Sequence, residues 1–145
     1  MSSLPPELAD PVEQLRMTLV EINGSEQACM TNALLTKSFT KAQAVMARCR
    51  QASAAAAATA VDAFLHACSE ISARANSGDT AAIVTAAAKS VSTFWTHSES
   101  SASALVSEAA AMLPAQGLDN TTQAVKSTCS ERASSINRYF EQLVS

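Results

Sequence analysis

Apolar residues recur along this chain at steps of three and four, the repeat of one helix face, and nowhere alternate over a strand length. Val12, Leu15, Leu19 and Ile22 make the first stripe. Asp10 before Pro11 reads as its start, a side-chain cap followed by proline at the first helical position. Pro5 and Pro6 precede it, so residues 1–11 read as an irregular lead and residues 12–145 as one helical domain. Asn23-Gly24 reads as a stop or a bend, with Ser25 free to cap the next segment. From Ser25 to Asn76 the pattern is helical throughout.

Lys37 to Ala75 is the stretch around which the rest is arranged. It has no Gly and no Pro, and the alanine run Ala54 to Ala58 stands at its centre. Alanine loses no side-chain entropy on ordering, so it is the strongest helix former. Phe39, Met46 and Cys49 lead into the run, and Val61, Phe64, Leu65, Cys68 and Ile71 come after it. A helix of this length spans roughly 55 Å. Asn76-Ser77-Gly78-Asp79 is the clearest turn, and Asp79 can cap a helix beginning at Thr80. That helix runs to about Leu113, with Val84, Val91, Phe94, Trp95, Leu105 and Met112 along one stripe and serines along the other. Pro114 and Gly117 end it. The last helix starts near Asp119 and repeats through Leu118, Thr122, Val125, Cys129, Ile136, Tyr139 or Phe140, and Leu143, with Arg132 a break in the heptad. Short links between long helices make neighbours antiparallel. The expectation is an all-α, elongated up-and-down bundle of three to four long helices.

Composition thins the core of that bundle. Hydrophobic residues are 48% but aromatics only 4%. Ala, Ser and Thr make up roughly two residues in five, well above ordinary usage. Alanine buries little area, so each inward alanine contributes far less than a leucine. Apolar stripes on several helices with little bulk to cover them predict a homo-oligomer. The net charge of −3 and the scattered Lys and Arg residues lack the concentrated positive footprint of a nucleic-acid binder. No stretch is long and apolar enough for a transmembrane segment. The first residues lack the basic and apolar regions of a secretory signal.

Candidate chemistry is sparse. His66 lies four residues before Glu70, half of a metal site with nothing to complete it, and reads as a surface pair. His97 lies one turn from Phe94 and reads as a partly buried or rim residue. The serines fall in helical runs without a strand-turn-helix elbow, and three scattered glycines build no phosphate loop. No catalytic, cofactor-binding or metal-ligating residue is expected, and no cofactor. Cys29, Cys49, Cys68 and Cys129 form no CxxC pair and no zinc spacing. They read as reduced core thiols of a cytoplasmic protein, against the rival of a secreted four-cysteine bundle such as the plant pectin methylesterase inhibitors. Phe94 and Trp95 either plug the core or present one ring outward to an apolar surface.

The segment AVDAFLHACSEISARA, the short SGDT break and then AAIVTAAAKSVSTFWTHSESSASALVSEAAAML resemble a phasin, a bacterial protein that coats polyhydroxyalkanoate granules. The resemblance covers roughly Lys37 to Leu113 and lies in layout and composition. It implies a non-catalytic coat protein, cytoplasmic and on the granule surface, adsorbing to the hydrophobic polyester through amphipathic helices. The contact residues it implies are Val84, Val91, Phe94, Trp95, Leu105 and Met112, with Trp95 the largest anchor. The alternative is a helical protein–protein interaction module, a secreted effector or scaffold, with no polymer binding.

Overall fold

Helix accounts for nearly all of residues 4–75 and 78–144, the part of the chain described by this computed structural model. Within α3 the side chains of 102, 103, 105, 106, 109, 110 and 113 are outside that description. A 3-10 turn at Pro6–Leu8 leads into α1 (Ala9–Leu35). The remaining helices are α2 (Phe39–Ala75), α3 (Gly78–Gln116) and α4 (Leu118–Val144). Each helix packs on the next, and α4 returns to α1, closing an up-and-down ring of four. The all-α bundle expected from the pattern is what forms, and there is no strand among the described residues.

The helix boundaries depart from expectation at the front of the chain. Helix begins at Ala9, without a side-chain cap, so Asp10 and Pro11 lie in the first turn rather than before it. Leu8 is completely buried, so the end of the lead belongs to the core. Asn23-Gly24 neither stops nor splits α1. A glycine inside a helix costs about 1 kcal/mol. Here that cost is offset, because Asn23 is buried and its Nδ2 donates to the Cys129 carbonyl at 2.8 Å. Gly24 itself faces open space.

The break falls instead at Thr36–Ser38, inside the stretch read as one helix from Ser25 to Asn76. The Thr36 amide donates back to Ala33, and the Lys37 amide to Leu34 at 3.1 Å. Lys37 takes φ 56°, and the Ser38 Oγ accepts the Lys41 amide at 3.4 Å to start α2. A left-handed residue other than glycine costs roughly 1–2 kcal/mol, so packing rather than local preference places this link. Asn76 and Ser77 of the expected turn lie outside the described residues, and α3 begins at Gly78. At the α3–α4 link turn chemistry decides. Pro114 falls in the last turn of α3, and Gly117 at φ 84° makes the link to α4.

Two apolar clusters fill the bundle. The larger joins Leu15 and Leu19 of α1, Phe64 of α2, Val91 of α3 and Ile136 and Phe140 of α4. The smaller holds Met30, Leu34, Met46, Val125 and Cys129. Most of the alanine run is not in either. Ala57 is 4% exposed, whereas Ala54, Ala55, Ala56 and Ala58 face solvent, because at 3.6 residues per turn a run of five cannot point one way. Ala57→Leu is therefore expected to overpack the contact and cost about 1–3 kcal/mol in chemical denaturation, with Ala56→Leu within about 0.5 kcal/mol of wild type.

The thiols also depart from expectation. Cys29 and Cys49 form a disulfide between α1 and α2, with Cα atoms 6.2 Å apart, while Cys68 and Cys129 are free and buried. The reading of four reduced thiols is corrected. An unbroken helix would hold positions 29 and 49 roughly 30 Å apart. The link at Thr36–Ser38 folds them opposite each other. Burial raises both free thiols, Cys129 to about 11, aided by the nearby Glu26 and Glu99 carboxylates. Alkylation followed by mass spectrometry is expected to label no cysteine in the native protein, two after unfolding, and four after unfolding with reductant. Cys29→Ser with Cys49→Ser is expected to lose about 3 kcal/mol of stability, the entropy of an open loop of this size.

Candidate binding site: a buried charge layer beside an apolar cavity

Between the two apolar clusters lies a layer of charge. Arg132 of α4 is 5% exposed, and every nitrogen of its guanidinium donates. Nη1 donates to Glu26 Oε2 of α1 at 3.1 Å, and Nη2 to Glu99 Oε2 of α3 at 2.7 Å. Nε donates to Ser98 Oγ at 2.8 Å. The guanidinium also lies over the Trp95 ring, 4.2 Å from its centroid, a cation–π contact strengthened by burial. Asn23 stands at the same level, its Oδ1 3.5 Å from Nη1. Breaking a buried pair of this kind leaves an uncompensated charge and typically costs about 3–5 kcal/mol.

The layer is not balanced. One cation faces two carboxylates, for a formal charge of −1 when all are ionised. Glu99 is accordingly pushed above its ordinary value of 4.5, first by burial and next by the Glu26 carboxylate, with Arg132 opposing. Glu26 Oε1 and Glu99 Oε1 are covered and have no hydrogen-bond partner. Trp95 Nε1 is likewise unpartnered.

A cavity of about 400 Å³ lies against this layer, between α1 and α2. It is open to solvent: Ala52, Ala56 and Ser25 on its walls are exposed, Ile22 and the Cys29–Cys49 disulfide form its apolar floor, and Glu26 and Ser53, both buried, lie at its inner edge. Glu21 is exposed on its rim. No Lys, Arg or His lines it. A second cavity of about 280 Å³, on the α3–α4 side, is lined by Phe94, His97 and Arg132.

Three of the six residues expected to contact a surface are inside. Val84, Val91 and Trp95 are buried at 4%, 0% and 5% exposure, which corrects the surface contact expected of the two valines and settles Trp95 on the core side of its two alternatives. They share the stripe of α3 that meets α2 and α4, and Trp95 supplies the face on which Arg132 rests. Phe94 is half-buried and stacks on Tyr139, centroids 4.1 Å apart. Met112 is exposed, and the Leu105 side chain lies outside the described residues. His66 and Glu70 form the exposed pair expected, at 3.4 Å. His97 is exposed. Among the described residues no group of His, Cys, Asp and Glu is arranged to hold a metal ion. No helix there is long and apolar enough to cross a membrane.

Sequence reasoning flagged Arg132 as a heptad break but did not pair it. The missed signal was Glu26, which falls four residues after Ile22 and four before Met30, in register with the α1 core stripe. The chain matches no protein-family model, and no curated protein or solved structure is significantly similar to it.

The imbalance sets a pH dependence. A carboxyl whose value is raised by folding adds stability that is fully present below its unfolded value and lost as pH rises through its folded one. Between pH 4.5 and neutrality the Glu99 contribution therefore falls. Glu99→Gln, which keeps an acceptor for Arg132 without the charge, is expected to flatten the denaturation midpoint over that window and to match or exceed wild type at pH 7. A wild-type midpoint that rises over the same window, and that Glu99→Gln leaves unchanged, would contradict the assignment.

Proposed function

We propose that this chain is a non-catalytic binding bundle of an oxidising compartment, which takes a small apolar molecule into the cavity between α1 and α2. The observation that carries the reading is that cavity. Its volume of about 400 Å³ lies in the range of small-molecule sites, its walls are apolar, and two buried polar groups lie beside it. The disulfide supports the compartment, since such bonds persist where thiols are not kept reduced.

The granule-coat reading finds less support. The side chains it would use, Val84, Val91 and Trp95, are occupied in the core, so adsorbing through them would require the bundle to open. Among the described residues the exposed large apolar side chains are Met17, Leu35, Phe39, Met112 and Val144, spread over four helices rather than along one.

Titration with the neutral fluorescent probe N-phenylnaphthylamine is expected to give saturable binding, weakened in Ala56→Phe, which places a ring on the solvent-facing wall of the groove, with the circular dichroism unchanged. Flotation with polyhydroxyalkanoate particles is run beside it, and light scattering on the same samples reads the expected self-association. Flotation without probe binding would return the coat reading to first place.

A further inference from the structure

Arg132 donates to one oxygen of Glu26 and to one oxygen of Glu99, and the other oxygen of each carboxyl is left without a partner. The two carboxyls meet the terminal nitrogens of a single guanidinium, Nη1 and Nη2, so they arrive from α1 and α3 as neighbours. The Glu26 side chain has no accessible surface, and that of Glu99 keeps 12%. Two carboxyls converging on one cation, in a medium that solvates charge poorly, do not ionise at the same pH. A proton on either free oxygen turns it into a donor to the other, which satisfies two buried acceptors at once.

We propose that Glu26 and Glu99 share one proton between those free oxygens, that it ties α1 to α3 across the bundle, and that it leaves as pH rises. With the proton in place, one cation balances one net negative charge and the layer is neutral. Burial and then the Glu26 charge push the Glu99 carboxyl up, and a hydrogen bond between the two carboxyls adds to both. The other groups around the pair do not take the proton. Asn23 of α1 is an amide, Ser98 of α3 accepts from Arg132, and Ser53 is the buried polar residue of α2. Burial holds the Cys129 thiol of α4 at about 11, so it stays neutral. Glu21, His97 and Glu131, which line the flanking cavities, are exposed and screened by water. In the ring of four, α1 and α3 pack mainly on α2 and α4, so the shared proton joins a diagonal that little else holds. The exposed part of Glu99 is the path by which it exchanges with water. The folded chain keeps a proton that the unfolded chain gives up above 4.5, so the tie is complete in acid and is lost as pH rises through the folded value.

Infrared spectroscopy on the full chain reads this proton, because the C=O stretch of a protonated carboxyl stands apart from that of carboxylates. At about pH 6, where exposed carboxyls are ionised, the folded protein is expected to show the band of a protonated carboxyl, absent after unfolding in denaturant. Raising the pH is expected to remove the band and, with the same midpoint, to shift the emission of Trp95, the only tryptophan, to the red as α1 and α3 part. Glu26→Gln and Glu99→Gln, checked by circular dichroism, are each expected to remove the band, since a single carboxylate then balances Arg132. A band that persists in Glu26→Gln places the proton on Glu99 alone and overturns the sharing. Should a variant fail to fold, the wild-type spectrum decides, and a folded wild type with no band at about pH 6 overturns the proposal. Trp95 emission that stays fixed while the band disappears overturns the tie between α1 and α3.

Discussion

Among the described residues Arg132 is the only cation in the middle of the bundle, and three helices depend on where its guanidinium sits. It bonds Glu26 of α1 and Glu99 of α3 and covers the Trp95 ring, so α1, α3 and α4 share one fixed level. Apolar stripes alone let neighbouring helices slide by a turn at small cost. A buried charge set of this geometry forbids the slip, since moving one helix strands a carboxylate in a medium that solvates it poorly. The layer trades some stability for a single register, and Asn23 reinforces the level by bonding the Cys129 carbonyl.

That layer also divides the core. On one side the cluster around Leu19, Phe64 and Phe140 is built from large side chains. On the other, Met30, Leu34, Met46 and Val125 meet Ala33 and Ala42, and less area leaves water. The disulfide lies toward this weaker side, within a turn of Met30 and Met46. It holds α1 to α2 where burial contributes least, by restricting the unfolded chain rather than by adding contacts.

The helices and the α3–α4 link were legible because each carries local signals. Gly117 and Pro114 mark the α3–α4 link in composition as well as in conformation. Thr36-Lys37-Ser38 carries no such signal, and the helical pattern runs through it, so only tertiary packing reveals the turn there. The disulfide was illegible for the same reason, because pairing Cys29 with Cys49 requires knowing that the chain reverses between them. Trp95 could not be oriented from its own helix. What buries it lies 37 residues further on, in an arginine that looked like an interruption of a heptad. The cavity left no trace in the pattern, since its walls are small residues that read as neutral on either face.

The order of the charges along the chain has a consequence for assembly. Glu26 and Glu99 lie on α1 and α3, and Arg132 lies on α4, the last of the four helices in sequence. Three helices packed without the fourth would bring two carboxylates together with no counter-ion, and burial would drive them apart or force them to take up protons. Docking of α4 delivers the layer's cation, the Trp95 cover and part of both apolar clusters at once.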